Sequence, residues 1–276
     1  MSSTVVASVC EPGHSAPQID SPEAGQTWLT RARTFVTAIS QVSAGHVLAR
    51  TNNPDEYMLI VPTGVRAVVR AGAESQQLDG VGDTLVIVPP GPSEVEVLAP
   101  GCLVRIFSHR ATDLMALAAN ASQQPADDAD APPPPPPTGF RLRVYRLDEH
   151  KRADGPARPF RSTNLLVNAF VPRDFRRDPR KMTPHAHADF DQASLALKGN
   201  FIHHLRYPWT SDMTAWREDE HHAVGSPSLI VMPAQAIHTS QDVGEGWAQL
   251  MDIFSPPRAD FVERPGWLCN EQDYPA

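Results

Sequence analysis

Several features are scarce in this sequence of 276 residues, and each scarcity excludes a class of protein. The cysteines Cys10, Cys102 and Cys269 are too few and too far apart for a disulfide framework or a zinc ribbon. No stretch approaches the roughly 18 apolar residues of a membrane span. The N-terminus lacks the basic start and apolar run of a signal peptide. We therefore expect a cytoplasmic protein without a membrane partner.

An excess of basic residues is also missing, because the formal net charge is −8. Nucleic-acid binding requires basic patches that meet the phosphates, so we expect no nucleic-acid partner. Basic side chains do gather at residues 173–181, which read RDFRRDPRK. Acidic residues interrupt this run, and the pattern predicts a solvated loop.

Long helices are scarce as well, because 28 prolines and 16 glycines interrupt the chain. Residues 1–24 are rich in Ser, Pro and Gly, which predicts a disordered tail. Residues 121–139 read ASQQPADDADAPPPPPPTG, and their six consecutive prolines predict an extended polyproline II linker. This Pro-rich linker divides the chain into halves at residues 25–120 and 140–276. One helix is expected, at residues 111–119.

Both halves contain short apolar runs that end at Pro or Gly, the pattern of strands cut by tight turns. The halves also resemble each other. The matched segments are TLVIVP (84–89) with SLIVMP (228–233), and RIFS (105–108) with DIFS (252–255). The offset is 144 in the first pair and 147 in the second, which indicates a duplicated β-domain.

What the sequence does contain is a group of metal-ligating residue types in the second half. His185 and His187 are two residues apart, so on a strand both side chains project from the same face. Gln192 can join that face only if a turn or bulge intervenes, and residues 189–191 are the expected place. His238 follows the strand that ends at residue 233, as a hairpin partner would. These four residues predict one divalent metal ion per chain (Fe, Mn, Zn or Ni), whose identity the ligand types do not fix.

The spacing His185-x-His187-x4-Gln192-x6-Gly199 resembles the first motif of cupins, in which the residue at position 192 is usually Glu. The segment from residue 233 to His238 resembles the second motif, with Gln235 where Gly is usual and Pro227 where its leading Gly is expected. The resemblance covers residues 160–261 well and residues 45–115 more weakly. It implies an all-β bicupin, with two cupin (double-stranded β-helix, jelly-roll) domains joined by the linker.

The first half lacks the ligand set. Residues 52–56 contain no HxH pair, and Glu94 stands where the His of the second motif is expected. We therefore expect residues 25–120 to form a degenerate cupin domain without metal, and residues 140–276 to form the metal-binding one. The first half would pack against the second or form the face of a homodimer; the alternative is that it binds a ligand without metal.

The final strand of the second half resembles that of the small cupins that open unsaturated uronates. Those proteins use a three-His, one-Gln site, as does the bicupin isomerase of bacilysin biosynthesis. In the uronate family an Asp and an Arg on this strand are implicated in catalysis, which by position implies Asp252 and Arg258 here. This chain is twice as long as the uronate cupins and, unlike the bacilysin bicupin, lacks one site. The substrate therefore does not transfer.

Three neutral imidazoles and one neutral carboxamide leave a divalent ion's charge uncompensated, which favours Lewis-acid chemistry. Asp252 would then move a proton and Arg258 would pair with a substrate carboxylate; a structural ion pair is the alternative for both. The main hypothesis is a metal-dependent isomerase or lyase acting on a small oxygenated carboxylic acid or sugar acid. The alternatives are a three-His non-haem iron dioxygenase that cleaves an enol, diketone or phenolic substrate, and a non-catalytic small-ligand-binding cupin.

Overall fold

Strands form most of the regular secondary structure in a computed structural model of the protein. The structure describes residues 5–123, 134–153 and 155–276. The strands are β1 (Ser8–Cys10), β2 (Ile19–Ser21), β3 (Gly25–Arg31), β4 (Phe35–Val42), β5 (Val47–Asn53), β6 (Tyr57–Val61), β7 (Arg66–Ala71), β8 (Glu74–Leu78), β9 (Thr84–Val88), β10 (Gly91–Ala99), β11 (Gly101–Ser108), β12 (Arg143–Arg146), β13 (Pro159–Arg161), β14 (Leu166–Ala169), β15 (Gln192–Lys198), β16 (Phe201–Arg206), β17 (Glu220–Val224), β18 (Ser228–Met232), β19 (Ile237–Asp242) and β20 (Gln249–Phe254). The helices are α1 (Thr112–Leu117), which confirms the predicted helix, and α2 (Ala259–Val262). Within these described ranges, no helix has the length and apolar character that a membrane span requires.

The strands form two β-barrels, each made of two sheets. In the first barrel, a four-stranded sheet (β5-β10-β7-β8) faces a seven-stranded sheet (β12-β9-β6-β11-β4-β3-β2). In the second barrel, a six-stranded sheet (β1-β18-β15-β20-β14-β13) faces a three-stranded sheet (β17-β16-β19). In all four sheets, the neighbouring strands run antiparallel. The predicted all-β fold with two barrels is therefore confirmed.

The two large sheets pack against each other and form the centre of the molecule. On β6, Met58 and Ile60 contribute to this central core, whereas Leu59 points into the first barrel. On β20, Met251 and Ile253 face the central core. This alternation follows from the period of two in a strand. It leaves the even-numbered side chains of β15 and β20 to face the interior of the second barrel.

Each half contributes its first strand to a sheet of the other half, and this differs from the predicted domain boundaries. Strand β1, which lies within the predicted disordered tail, pairs with β18 of the second half through Ser8–Val231 and Cys10–Leu229. An unpaired sheet edge is a ready partner for an extended segment, and β1 covers that edge. Strand β12, which follows the predicted linker, pairs with β9 of the first half. The central part of that linker, residues 124–133, lies outside the described residues.

A buried histidine in the second barrel predicts loss of stability in acid. His203 on β16 is 1% exposed, and its Nδ1 lies 2.8 Å from Ser240 Oγ. Burial, together with the nearby His222 and His204, lowers its pKa to about 4. The unfolded chain, with an ordinary histidine pKa near 6.5, takes up more protons as the pH falls from 6.5 to 4. Stability should therefore fall over that window.

Urea unfolding at pH 7 and pH 5 measures this effect. We expect His203 to account for about 2 kcal/mol of the stability lost between these two values. The variant His203→Gln should show a smaller loss between the same pH values. Equal losses in the two proteins, measured with a chelator present, would contradict this assignment.

Candidate functional site

The predicted metal ligands lie at one end of the second barrel, although the segment that carries two of them is not a strand. His185 forms an isolated bridge with His238 on β19, and the two residues exchange backbone hydrogen bonds of 3.1 and 2.8 Å. The chain bends at Ala188 and Asp189, close to the predicted turn, and Gln192 then opens β15. The bend brings Gln192 to the same side as the histidines.

The donor atoms of these residues converge. One ring nitrogen from each of His185, His187 and His238 lies within 4.8 Å of the others. Gln192 Oε1 lies 2.8 Å from His187 Nε2 and 3.2 Å from His238 Nε2. Burial lowers the pKa of His187, and it lowers the pKa of His238 to about 4. The imidazoles of His187 and His238 therefore stay neutral near pH 7, which is the form that binds metal.

The surroundings of the rings fit a divalent ion. Nδ1 of His185 donates to the carbonyl of Thr183 (3.0 Å), and Nδ1 of His238 donates to the carbonyl of Ala236 (2.9 Å). Such bonds fix the tautomer and leave Nε2 as the lone-pair donor, an arrangement that metal-ligating histidines usually show. His185, His187, His238 and Gln192 would thus hold one metal ion.

The turn that follows β18 is hydrogen-bonded to residues 185–192, here called the ligand segment. Gln235 adopts φ 70°, in the left-handed region that favours glycine. Its backbone N–H donates to the carbonyl of His187 at 2.6 Å. Gln235, which stands where the resembled cupin motif usually has Gly, thus adopts a positive φ that glycine adopts more readily.

The first half also holds the ligand segment. Asp191, which is 1% exposed, accepts the backbone N–H of Arg33 at 2.8 Å and the Arg33 Nε–H at 3.1 Å. The same carboxylate accepts the backbone N–H of Ala234 (3.1 Å), and the Arg33 guanidinium also donates to the carbonyl of Asp189 (2.9 Å). Because Asp191 precedes Gln192 directly, Arg33 of the first half orients a predicted ligand of the second.

The variant Arg33→Ala should lower metal affinity without unfolding the protein. Outer partners that orient ligands typically contribute about 10- to 100-fold to metal affinity, and we expect a loss in that range. Competition against a chelating dye measures it. Arg50→Ala is the matched control, because Arg50 pairs with Asp113 within the first half (2.6 Å). An unchanged affinity in Arg33→Ala, or an equal loss in the control, would contradict a positioning role.

Asp252 on β20 lies beside the ligands, inside the second barrel. It pairs in register with Ser194 on β15, and Ser194 Oγ donates to Asp252 Oδ1 at 2.6 Å. The amide of Gln192 donates in turn to Ser194 Oγ at 3.2 Å. Burial raises the pKa of Asp252 to about 6, although the bond from Ser194 acts in the opposite direction. A carboxyl that titrates near neutral pH can accept or donate a proton.

Arg258, the other predicted catalytic residue, does not line the cavity at this site. Its guanidinium forms a bidentate pair with Asp260, at 3.0 and 2.8 Å. It also lies 5.0 Å from the ring centre of Phe254 and 4.2 Å from that of Phe261. Asp260 thus occupies the donor groups of Arg258 that a substrate carboxylate would need, and Arg258 forms its ion pair with Asp260 and not with Asp252.

A cavity of about 450 Å³ opens next to the ligands, between the six-stranded and the three-stranded sheet. A volume in this range suits a small molecule. His185, Gln192, His238 and Asp252 all line it. The wall away from these polar groups is largely apolar and includes Phe170, Phe175, Phe201, Ala248 and Leu250.

Two arginines that the sequence reasoning assigned to a solvated loop also line the cavity. They are Arg173 and Arg177, from the basic run that precedes the HxH pair. Their position in the sequence could have indicated this. The basic run directly precedes the two predicted ligands His185 and His187, so its residues lie close to the ligand end of the barrel.

The first barrel does not repeat the ligand cluster. By the offset of 147, Arg105 occupies the position that corresponds to Asp252, and it is buried. Glu94, predicted to stand in the place of the second-motif histidine, is exposed, and its neighbour Ser93 is the buried residue. Among the described residues, the second barrel holds the one group of three or more His, Cys, Asp or Glu side chains close enough to share a metal.

Comparison with known proteins agrees with this architecture at the level of the fold. No family model matches the sequence, and no curated protein matches it. AerE from Microcystis aeruginosa superposes with a TM-score of 0.56 at 7% identity, over 91% of this chain and 98% of AerE. YlbA from E. coli gives 0.57 at 10% identity, over 92% of each chain. An oxalate decarboxylase from Lactobacillus farciminis, a formate complex, gives 0.53 at 14% identity, over 87% and 83%. The chain thus has the fold of two cupin barrels.

Proposed function

We propose that this protein is a metal-dependent enzyme that moves a proton on a small oxygenated acid, in an isomerisation or a lyase step. The observation that carries the proposal is the position of Asp252. It lines the same cavity as His185, His238 and Gln192, and Ser194 links it to Gln192. A proton acceptor and a metal-binding group thus face one small-molecule cavity.

The donor set supports chemistry without a redox change. The four predicted ligands are neutral, so when bound, a divalent ion supplies Lewis acidity toward a carboxylate, enolate or carbonyl oxygen. Asp252 accepts a proton from the carbon next to that oxygen group, or returns one to it. The bond from Ser194 orients Oδ1 during this transfer. The apolar wall excludes water from the reacting carbon.

A three-His iron dioxygenase is the second candidate, because three imidazoles also suit iron. It would consume oxygen and would not require Asp252. A non-catalytic cupin that binds a small ligand is the third candidate. It would bind acids without converting them.

A combined measurement separates the three candidates. Protein purified without added metal is analysed for its metal, then incubated in D₂O with a panel of short oxygenated acids while oxygen uptake is recorded. We expect close to one ion per chain and solvent deuterium incorporated into one of the acids, without oxygen uptake. Oxygen consumption with bound iron would favour the dioxygenase. Binding of the acids with neither exchange nor turnover would favour the non-catalytic protein.

A further inference from the structure

The basic run before the ligand pair forms part of the cavity wall. Its residues 173–183, here called the arginine segment, pass along the open edge of β19. Arg173 and Ala248 exchange backbone hydrogen bonds at one end of the segment, and His185 and His238 do so just beyond the other. The segment is therefore held at both ends, and two of its arginines, Arg173 and Arg177, line the cavity.

The two arginines that line the cavity differ in their partners. Arg173 Nε lies 3.3 Å from Oδ2 of Asp242, a buried carboxylate that compensates its charge. Arg177 donates to the carbonyl of Ser240 (3.2 Å), to Thr183 Oγ1 (2.7 Å) and to the carbonyl of Lys181 (3.3 Å). These three neutral acceptors use three of its five N–H groups. Among the described residues no carboxylate pairs with Arg177, so its positive charge has no counter-charge.

The partners of the arginines are spaced regularly along β19 from the ligand end. His238 is a predicted ligand, Ser240 contacts Arg177, and Asp242 contacts Arg173. Since a strand rises about 3.3 Å per residue, the backbone contact of Arg177 lies roughly 7 Å along β19 from the ligand His238. A bound molecule that reaches both the ligands and Arg177 is therefore short.

The charges in the cavity indicate an anion with two charged groups. With a divalent ion held by neutral ligands, the ion and Arg177 together carry three positive charges, and Asp252 offsets at most one of them. A monoanion leaves a net positive charge in a largely apolar cavity, whereas a dianion neutralises it. The guanidinium is suited to a carboxylate, which it binds through a pair of hydrogen bonds.

We infer that Arg177 is a specificity-determining residue that binds a carboxylate of the substrate, and that the substrate is a short acid with a second, metal-facing anionic oxygen group. The class comprises short dicarboxylates and their oxo or hydroxy derivatives. The inference rests on the proposed function for the metal-facing group. It replaces Arg258 by Arg177 as the partner of the carboxylate.

Calorimetric titration of the zinc-loaded protein tests this assignment, with acetate, malonate and succinate as probes. We expect malonate or succinate to bind more tightly than acetate. In Arg177→Gln the Kd of the preferred dicarboxylate should rise about 10- to 100-fold, the range for a lost hydrogen-bonded charge. The Kd of acetate, bound on the metal side, should change less than about threefold. Zinc content is measured on each sample.

Arg176→Gln is the matched control. Arg176 is the adjacent residue, but it contacts the carbonyl of Gly244 (3.0 Å) and the exposed Glu245, and it does not line the cavity. It should leave both affinities unchanged. Thr183→Val tests whether Arg177 acts only by holding the arginine segment in place. It removes the 2.7 Å contact of Arg177 with Thr183 while keeping the guanidinium. It should preserve the preference for dicarboxylates.

The failures are distinguishable. Wild-type protein that binds no zinc contradicts the proposed function. Wild-type protein that holds zinc but binds acetate as tightly as the dicarboxylates overturns the assignment of Arg177, whatever the variants show. An equal loss of acetate and dicarboxylate binding in Arg177→Gln overturns it as well.

Discussion

Replacing His185 and His187 together by alanine is expected to abolish metal binding while both barrels stay folded. Two of the three converging imidazoles are lost, and His238 and Gln192 alone cannot enclose an ion. Structural zinc sites gain roughly 10–16 kcal/mol from four ligands, so the loss of two should weaken binding by about 10⁴-fold. The fold should persist, because the HxH segment lies outside the strands and contributes little to the apolar cores.

Elemental analysis after gel filtration measures the effect, and the wild-type protein should carry close to one ion per chain. The matched control is the double variant His204→Ala, His221→Ala. Those two rings lie on the three-stranded sheet with their Nδ1 atoms 2.7 Å apart, and they could take up metal adventitiously. The control should retain the ion. Full occupancy in the His185, His187 variant would refute the site, and two ions per wild-type chain would refute the prediction of one ion per chain.

The barrels could be predicted because their strands obey local rules. Segments such as β9 and β18 are short apolar runs that end at Pro or Gly, and both are strands in the structure. The exchange of β1 and β12 could not be predicted in this way. Their pairing depends on which distant sheet edge is left unpaired. Neither segment has a sequence pattern that indicates the strand with which it pairs.

The candidate ligands could also be predicted, since the spacing of His185, His187 and Gln192 reflects one local turn. The surroundings of the cavity depended on tertiary structure. Arg177 lines the cavity because its segment is held against β19, whereas charge pattern alone assigned it to solvent. Arg258 does not line the cavity, and its guanidinium is paired with Asp260, two residues on. The predicted homodimer, the metal identity and the catalytic role of Asp252 stay predictions.

The variant Asp252→Asn should keep the fold and the metal but lose most of the turnover. Asparagine has nearly the same shape and can still accept the bond from Ser194 Oγ. It cannot take up a proton from a carbon acid near pH 7. We expect turnover of the acid identified in the panel to fall by roughly 10²–10⁴-fold, the usual contribution of a general base. The metal content should match that of the wild type, because Asp252 is not among the four predicted ligands.

Deuterium incorporation from solvent and metal content, measured on the same sample, separate a catalytic from a structural role. Asp260→Asn is the matched control, because Asp260 is a mostly exposed carboxylate that pairs with Arg258 and does not line the cavity. It should change turnover less than about twofold. Loss of both metal and turnover in Asp252→Asn would make Asp252 part of the metal site. Normal turnover with normal metal would end the proton-transfer mechanism, and oxygen uptake by the same protein would then establish the dioxygenase in its place.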